Sequence, residues 1–183
     1  MNTEFDPGKL ILNAIEKAQE LISHNKPDMA QDIAKQILRC QPNHVDAIEL
    51  LGLTHHQKHE YPQAIKYLKK AVESEPNNAD FLNNLALPLS VTGKVDESIE
   101  LLKKCVELQP ENPQYLANLA LQYRSVGKIP EAIETLKKSL SFKELPTTYV
   151  NLGGTYGESH QLQLATECFR KAIELDPENA MAH

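Results

Sequence analysis

Along most of the chain apolar residues recur at intervals of three and four, in blocks of about a dozen residues separated by short polar turns. That spacing gathers them on one stripe of an α-helix, so the pattern predicts a succession of short amphipathic helices. The blocks come in pairs, and the pairs repeat. The run 45–78 is the most regular copy: with Val45 as position 1, Leu51, Gly52, Ala64, Leu68, Ala71 and Pro76 stand at positions 7, 8, 20, 24, 27 and 32. A step of 34 residues gives Leu85, Ala86, Ser98, Leu102, Cys105 and Pro110, and another gives Leu119, Ala120, Ala132, Leu136 and Ser139. The spacing then slips by one residue, and the next set is Leu152, Gly153, Ala165, Phe169, Ala172 and Pro177. Backwards from Val45 the frame finds Ala18, Ala30, Ala34, Ile37 and Pro42. A unit this short cannot bury its own apolar face, so its copies must stack on one another.

The frame yields five units, 11–44, 45–78, 79–112, 113–145 and 146–179, after a lead-in over 1–10. The first unit has Lys17 at position 7, where an apolar residue is expected, and reads as a partial cap whose first helix starts at Asp6-Pro7. Residues 180–183 read as the opening of a truncated sixth repeat. Position 15 holds Asn25, His59, Gly93, Gly127 and His160. Gly adopts positive φ freely, and Asn and His do so more often than most residues, so this column predicts a left-handed helix C-cap. Pro42, Pro76, Pro110 and Pro177, each followed within two residues by Asn, are expected to stop the second helix of a pair. Small residues at positions 8 and 20 predict close approach within a pair, and large ones at 24, such as Leu68, Leu102, Leu136 and Phe169, are expected to fill the gap to the neighbouring unit.

Small-residue columns, the position-32 proline and a 34-residue period together resemble the tetratricopeptide repeat family over residues 10–183. The resemblance implies an all-α fold, a right-handed superhelical solenoid of antiparallel helix pairs in which the first helix of each pair lines a concave groove. One departure is the family's bulky aromatic at position 4, which is Ile48, Leu82, Leu116 and Tyr149 here.

On that resemblance the inward positions are 2, 5, 6, 9, 12 and 13, and the function implied is a scaffold that binds an extended peptide of another protein in its groove. Position 6 holds Asn84, Asn118 and Asn151. A side-chain amide both donates and accepts, so a column of Asn pairs with peptide backbone without demanding particular side chains. This column is similar to the asparagine ladder in the repeat domain of O-linked N-acetylglucosamine transferases, although Glu16 and Leu50 interrupt it in the first two units. The other groove residues are Asp46, Glu49, Leu53 and His56; Asp80, Asn83, Leu87 and Ser90; Gln114, Ala117, Leu121 and Arg124; then Thr147, Val150 and Gly154. The set is acidic at one end and nearly neutral at the other, which favours a partner with basic residues at one end. Chaperone-binding members of the family hold a terminal carboxylate with Lys and Arg, whereas Asp and Asn stand in those places here.

Composition narrows the classes further. The formal charge of −6 comes without a Lys/Arg stripe, which argues against nucleic acid as a partner. Neither an apolar run of membrane-spanning length nor a signal-peptide pattern is present, so no membrane insertion is expected. Cys40, Cys105 and Cys168 are odd in number and widely spaced, fitting structural thiols in a reducing, cytoplasmic setting better than disulfides or a metal site. No Gly-rich phosphate loop, HExxH or GxSxG occurs, and no catalytic residue, cofactor or metal is predicted. His55 and His59 are four apart but lack a third ligand, and they read as surface and turn residues.

The six Tyr residues fall mostly in packing columns. Pro88, at position 10 of a first helix, predicts a bend on an exposed face, or one that bares the Asn84 carbonyl to a ligand. Two further readings stand beside the scaffold. In one the chain recruits substrate for a larger enzyme such as a glycosyltransferase; in the other it assembles with itself through its C-terminal repeat.

Overall fold

A computed structural model describes residues 7–177, and all regular structure among them is α-helical. The chain divides into two compact units at Gly93/Lys94. The first contains α1 (Pro7–Ser23), α2 (Pro27–Cys40), α3 (Val45–Gln57), α4 (Tyr61–Ser74) and α5 (Ala79–Val91). The second contains α6 (Val95–Leu108), α7 (Pro113–Ser125), α8 (Ile129–Phe142), α9 (Pro146–Glu158) and α10 (Leu162–Leu175). The first helix is described from Pro7, so helix already occupies the end of the stretch read as a lead-in, in keeping with a start at Asp6-Pro7, and the opening of a sixth repeat at 180–183 lies outside the described residues.

One left-handed residue follows each first helix. Asn25, His59 and His160 have φ of 56°, 59° and 61°, and Gly93 and Gly127 have φ of 82° and 76°. These are the five residues of the position-15 column. The turn after α3 shows why the conformation is needed: the His59 N–H reaches the His56 carbonyl at 3.0 Å and the Glu60 N–H reaches the His55 carbonyl at 2.9 Å. That pair of bonds satisfies two carbonyls at the helix end that would otherwise have no partner, and only a left-handed residue brings both amides round. Giving Gly127 a side chain by Gly127→Ala should cost about 1–2 kcal/mol through strain alone, since no heavy atom lies within 4 Å of the added Cβ; urea denaturation would register it as a lower midpoint.

In the first unit, α1, α2 and α3 close over Ile15, Ala18, Leu21, Ala30, Ala34, Ile37, Ala47, Leu50 and Leu51. In the second, α7 to α10 close over Ala117, Ala120, Leu136, Leu152, Tyr156, Ala165 and Cys168. The small-residue columns are the contact seams. Ala64, Ser98 and Ala132 at position 20 are fully inaccessible, as are Ala71, Cys105, Ser139 and Ala172 at position 27. Where position 8 is Gly, the position-24 side chain of the same pair occupies the space. A Cβ on Gly52 would stand 2.5 Å from Leu68 Cγ, and one on Gly153 would stand 2.8 Å from Phe169 Cε1. Leu68 and Phe169 therefore lock their own hairpins, and do not serve only the gap between neighbours as their size suggested.

Three other expectations change. Pro88 is fully buried within a continuous α5, so it faces packed protein and not solvent. Its carbonyl accepts from both the Thr92 N–H at 3.1 Å and Thr92 Oγ1 at 2.9 Å, which closes the helix one turn later. The Pro-Asn pairs divide two tasks: α4 and α6 have ended before Pro76 and Pro110, while Asn78 and Asn112 cap the next first helix by accepting from the N–H of Asp80 and Phe81 and of Gln114. Of the three thiols, Cys105 and Cys168 are buried but Cys40 is exposed.

Candidate functional site

The helices α1, α3 and α5 of the first unit pack side by side, α3 touching both others. Because consecutive first helices start 34 residues apart, like positions fall next to each other. Asp46 and Asp80 share position 2, and Glu49 at position 5 comes to face Asn84 at position 6. The outcome is a pocket of about 320 Å³ lined by Gln19, Asp46, Glu49, Leu53, Asn78, Asp80, Phe81 and Asn84.

Glu49 is the centre of this pocket. It is 7% exposed, and its Oε1 accepts a hydrogen bond from Asn84 Nδ2 at 2.7 Å. Burial raises its pKa to about 7; the Asn84 bond opposes the rise, and the neighbouring charges of Asp46, Asp80 and Glu75 reinforce it. Asn78 builds the adjoining wall. Its Oδ1 receives the Asp80 and Phe81 amides at 3.1 and 3.3 Å, and its Nδ2 donates to Glu75 Oε2 at 2.9 Å. The N-terminus of α5 is thereby fixed against the pocket.

Of the predicted groove residues, Asp46, Glu49, Leu53, Asp80 and Asn84 meet here. Asn83 and Leu87 are half-buried further along α5, with Asn83 Nδ2 at 3.4 Å from Asn84 Oδ1. His56 lies outside the pocket. It is half-buried with its ring centroid 5.7 Å from that of Tyr61, and burial, aided by His59, lowers its pKa. His55 and His59 diverge: His55 stacks on Tyr67 and bonds Glu60, while His59 Nδ1 lies 2.9 Å from Tyr61 Oη.

In the second unit the corresponding face is carried by α7 and α9, which touch. Asn118 is 8% exposed, its Oδ1 accepting from Gln114 Nε2 at 3.1 Å, and Leu121 and Asn151 are half-buried. The Asn151 carbonyl takes Thr155 Oγ1 at 2.7 Å. Arg124 lies over Gly154, where a Cβ would come within 3.2 Å of its Nη1, and its Nε is 3.6 Å from Glu158 Oε1. Each unit thus presents a polar first-helix face, acidic in the first and carrying one guanidinium in the second.

Three pocket residues stand outside the predicted groove set: Gln19, Phe81 and the capping residue Asn78. Gln19 was accessible to sequence reasoning, because it occupies position 9 of the first unit, an inward position; the partial-cap reading of that unit hid it.

Comparisons with known proteins agree with this architecture. Residues 15–79 and 146–179 match families described as tetratricopeptide repeat, and residues 57–139 match the family described as anaphase-promoting complex, cyclosome, subunit 3. No curated protein matches the chain at the level of sequence. Among solved structures, MamA is similar at 25% identity and a TM-score of 0.72, over 89% of this chain and 96% of MamA. A thermophilic repeat protein of Thermus thermophilus is similar at 18% identity and a TM-score of 0.83, over 94% of each chain. YrrB, described as having an unusual peptide-binding site, is similar at 21% identity and a TM-score of 0.68, over 92% of this chain and 88% of YrrB.

Proposed function

The chain belongs to the tetratricopeptide repeat family, and from that premise we propose that it is an interaction scaffold that binds an extended segment of another protein on its first-helix faces. The observation that carries the proposal is the convergence of Asp46, Glu49, Leu53, Asp80 and Asn84 on one polar pocket between packed first helices. Packing does not require that pocket: the apolar core of the unit lies elsewhere, around Leu21, Ala34 and Leu50. YrrB, which shares the fold, is itself described as carrying a peptide-binding site.

Asn84, Asn118 and Asn151 are the proposed backbone contacts, each exchanging or extending its present bonds when a peptide arrives. Replacing all three by Ala should weaken binding of a captured partner by about 0.5–1.5 kcal/mol for each lost bond. Isothermal titration against that partner measures the loss, and a denaturation curve separates it from any effect of truncating the buried Asn118. Unchanged affinity would remove the Asn column from the site.

A further inference from the structure

We propose that the pocket between α1, α3 and α5 is a receptor for one cationic side chain, a lysine or arginine of the bound segment. The inference rests on the scaffold reading and specifies what its ligand must contain.

Three features define the ligand. The first is charge: Asp46, Glu49 and Asp80 line the pocket, and no Lys, Arg or His is among its lining residues. The second is a buried acceptor with capacity left. Glu49 is more than nine-tenths buried and lines the pocket; Asn84 satisfies its Oε1, and no donor among the described residues hydrogen-bonds its Oε2. A carboxylate held this way lacks the second donor that would make its ionised form comfortable. The third is shape. Leu53 and Phe81 supply apolar wall beside the carboxylates, as a side chain with a methylene stem and a charged head requires. A bare metal ion fits poorly: no group of His, Cys, Asp and Glu among the described residues is arranged to hold one.

Binding should be coupled to a proton. The groups facing Glu49 are Asp46 on its own helix, Asp80 and Asn84 from α5, Glu75 at the C-cap of α4 and the uncharged Gln19 from α1; α2 contributes no lining residue. At pH 6 Glu49 is mostly protonated and at pH 8 mostly ionised, given its pKa of about 7. A cation that pairs with the ionised form should bind up to about tenfold more tightly at pH 8 than at pH 6.

The test uses the full chain and two small probes, N-acetyl-lysine N-methylamide and its norleucine counterpart, which has the stem without the charge. Nitrogen–proton NMR spectra would follow the side-chain amide of Asn84 during titration at pH 6 and pH 8. The proposal expects the lysine probe to shift that signal, to bind several-fold more tightly at pH 8, and to lose this pH dependence in Glu49→Gln. Equal shifts from norleucine, no response at tens of millimolar lysine probe, a pH-independent response in the parent chain, or a response to calcium chloride in place of the amine would each overturn it. A displayed library of random peptides selected on the chain separates the two readings. Peptides that bind without any basic residue keep the scaffold and discard the cation pocket, whereas a lysine-probe response with no peptide selected keeps the pocket and discards the scaffold.

Discussion

Leu68→Ala should cost the chain about 2–5 kcal/mol, the range for deleting a buried leucine whose surroundings cannot collapse into the space. Leu68 is fully inaccessible and lies directly beneath Gly52, where neither residue has room to move toward the other. The converse change, Gly52→Ala, should also destabilise, by about 1–3 kcal/mol, because the new Cβ meets both the Leu68 side chain at 2.5 Å and its backbone N at 3.3 Å. Together the two substitutions should cost less than the sum of each alone, the alanine at 52 partly filling what the truncation at 68 empties. Equilibrium denaturation of the four chains in one cycle measures the coupling. Strict additivity would show that the two residues do not lock the hairpin.

The second large effect is at Glu49. Its folded pKa of about 7 lies above the ordinary 4.5, so between these values the folded chain holds a proton that the unfolded chain has released. Stability therefore falls as pH rises through that window: below about 4.5 the carboxyl is neutral in both states and costs nothing, and above about 7 the folded state carries a buried charge. A displacement of that size corresponds to roughly 3 kcal/mol. Glu49→Gln keeps the shape and removes the charge. It should accordingly stabilise the protein at pH 8 by an amount on the order of 2–3 kcal/mol, and by almost nothing at pH 4. Thermal melts of the two chains across that range decide it, with parallel curves at all pH values as the contrary result. The same residue thus weakens the empty fold in the pH range where the cation pocket is expected to work best.

The contrast between what the residues announced and what they hid follows from distance along the chain. Turn geometry is a local property, so Asn25, His59, Gly93, Gly127 and His160 could be read one by one, and each has positive φ. The helix pairs and their small-residue seams follow from spacing within a single 34-residue frame. The bond between Glu49 and Asn84 could not be read this way. It joins position 5 of one repeat to position 6 of the next, and the repeat frame alone does not say which of two neighbouring polar residues turns toward the other. Asn118, placed with the groove residues by its column, is almost buried, its Oδ1 accepting from Gln114 one turn earlier on the same helix. Pro88 departs from the exposed face expected of it because a missing amide constrains only the backbone. Its ring is an apolar surface like any other, and it packs accordingly.

The left-handed residue that follows each first helix bears on how such a chain grows. Every turn is made by one residue inside the copied segment, and the Asn that starts α5 or α7 lies in the segment just before it. A gene duplication in frame over 34 codons therefore transmits a complete set of backbone instructions: where to reverse, where to restart and which small residue to leave open for the facing side chain. Lengthening the array demands no new conformation, which leaves the polar first-helix positions free to diverge under selection for different partners.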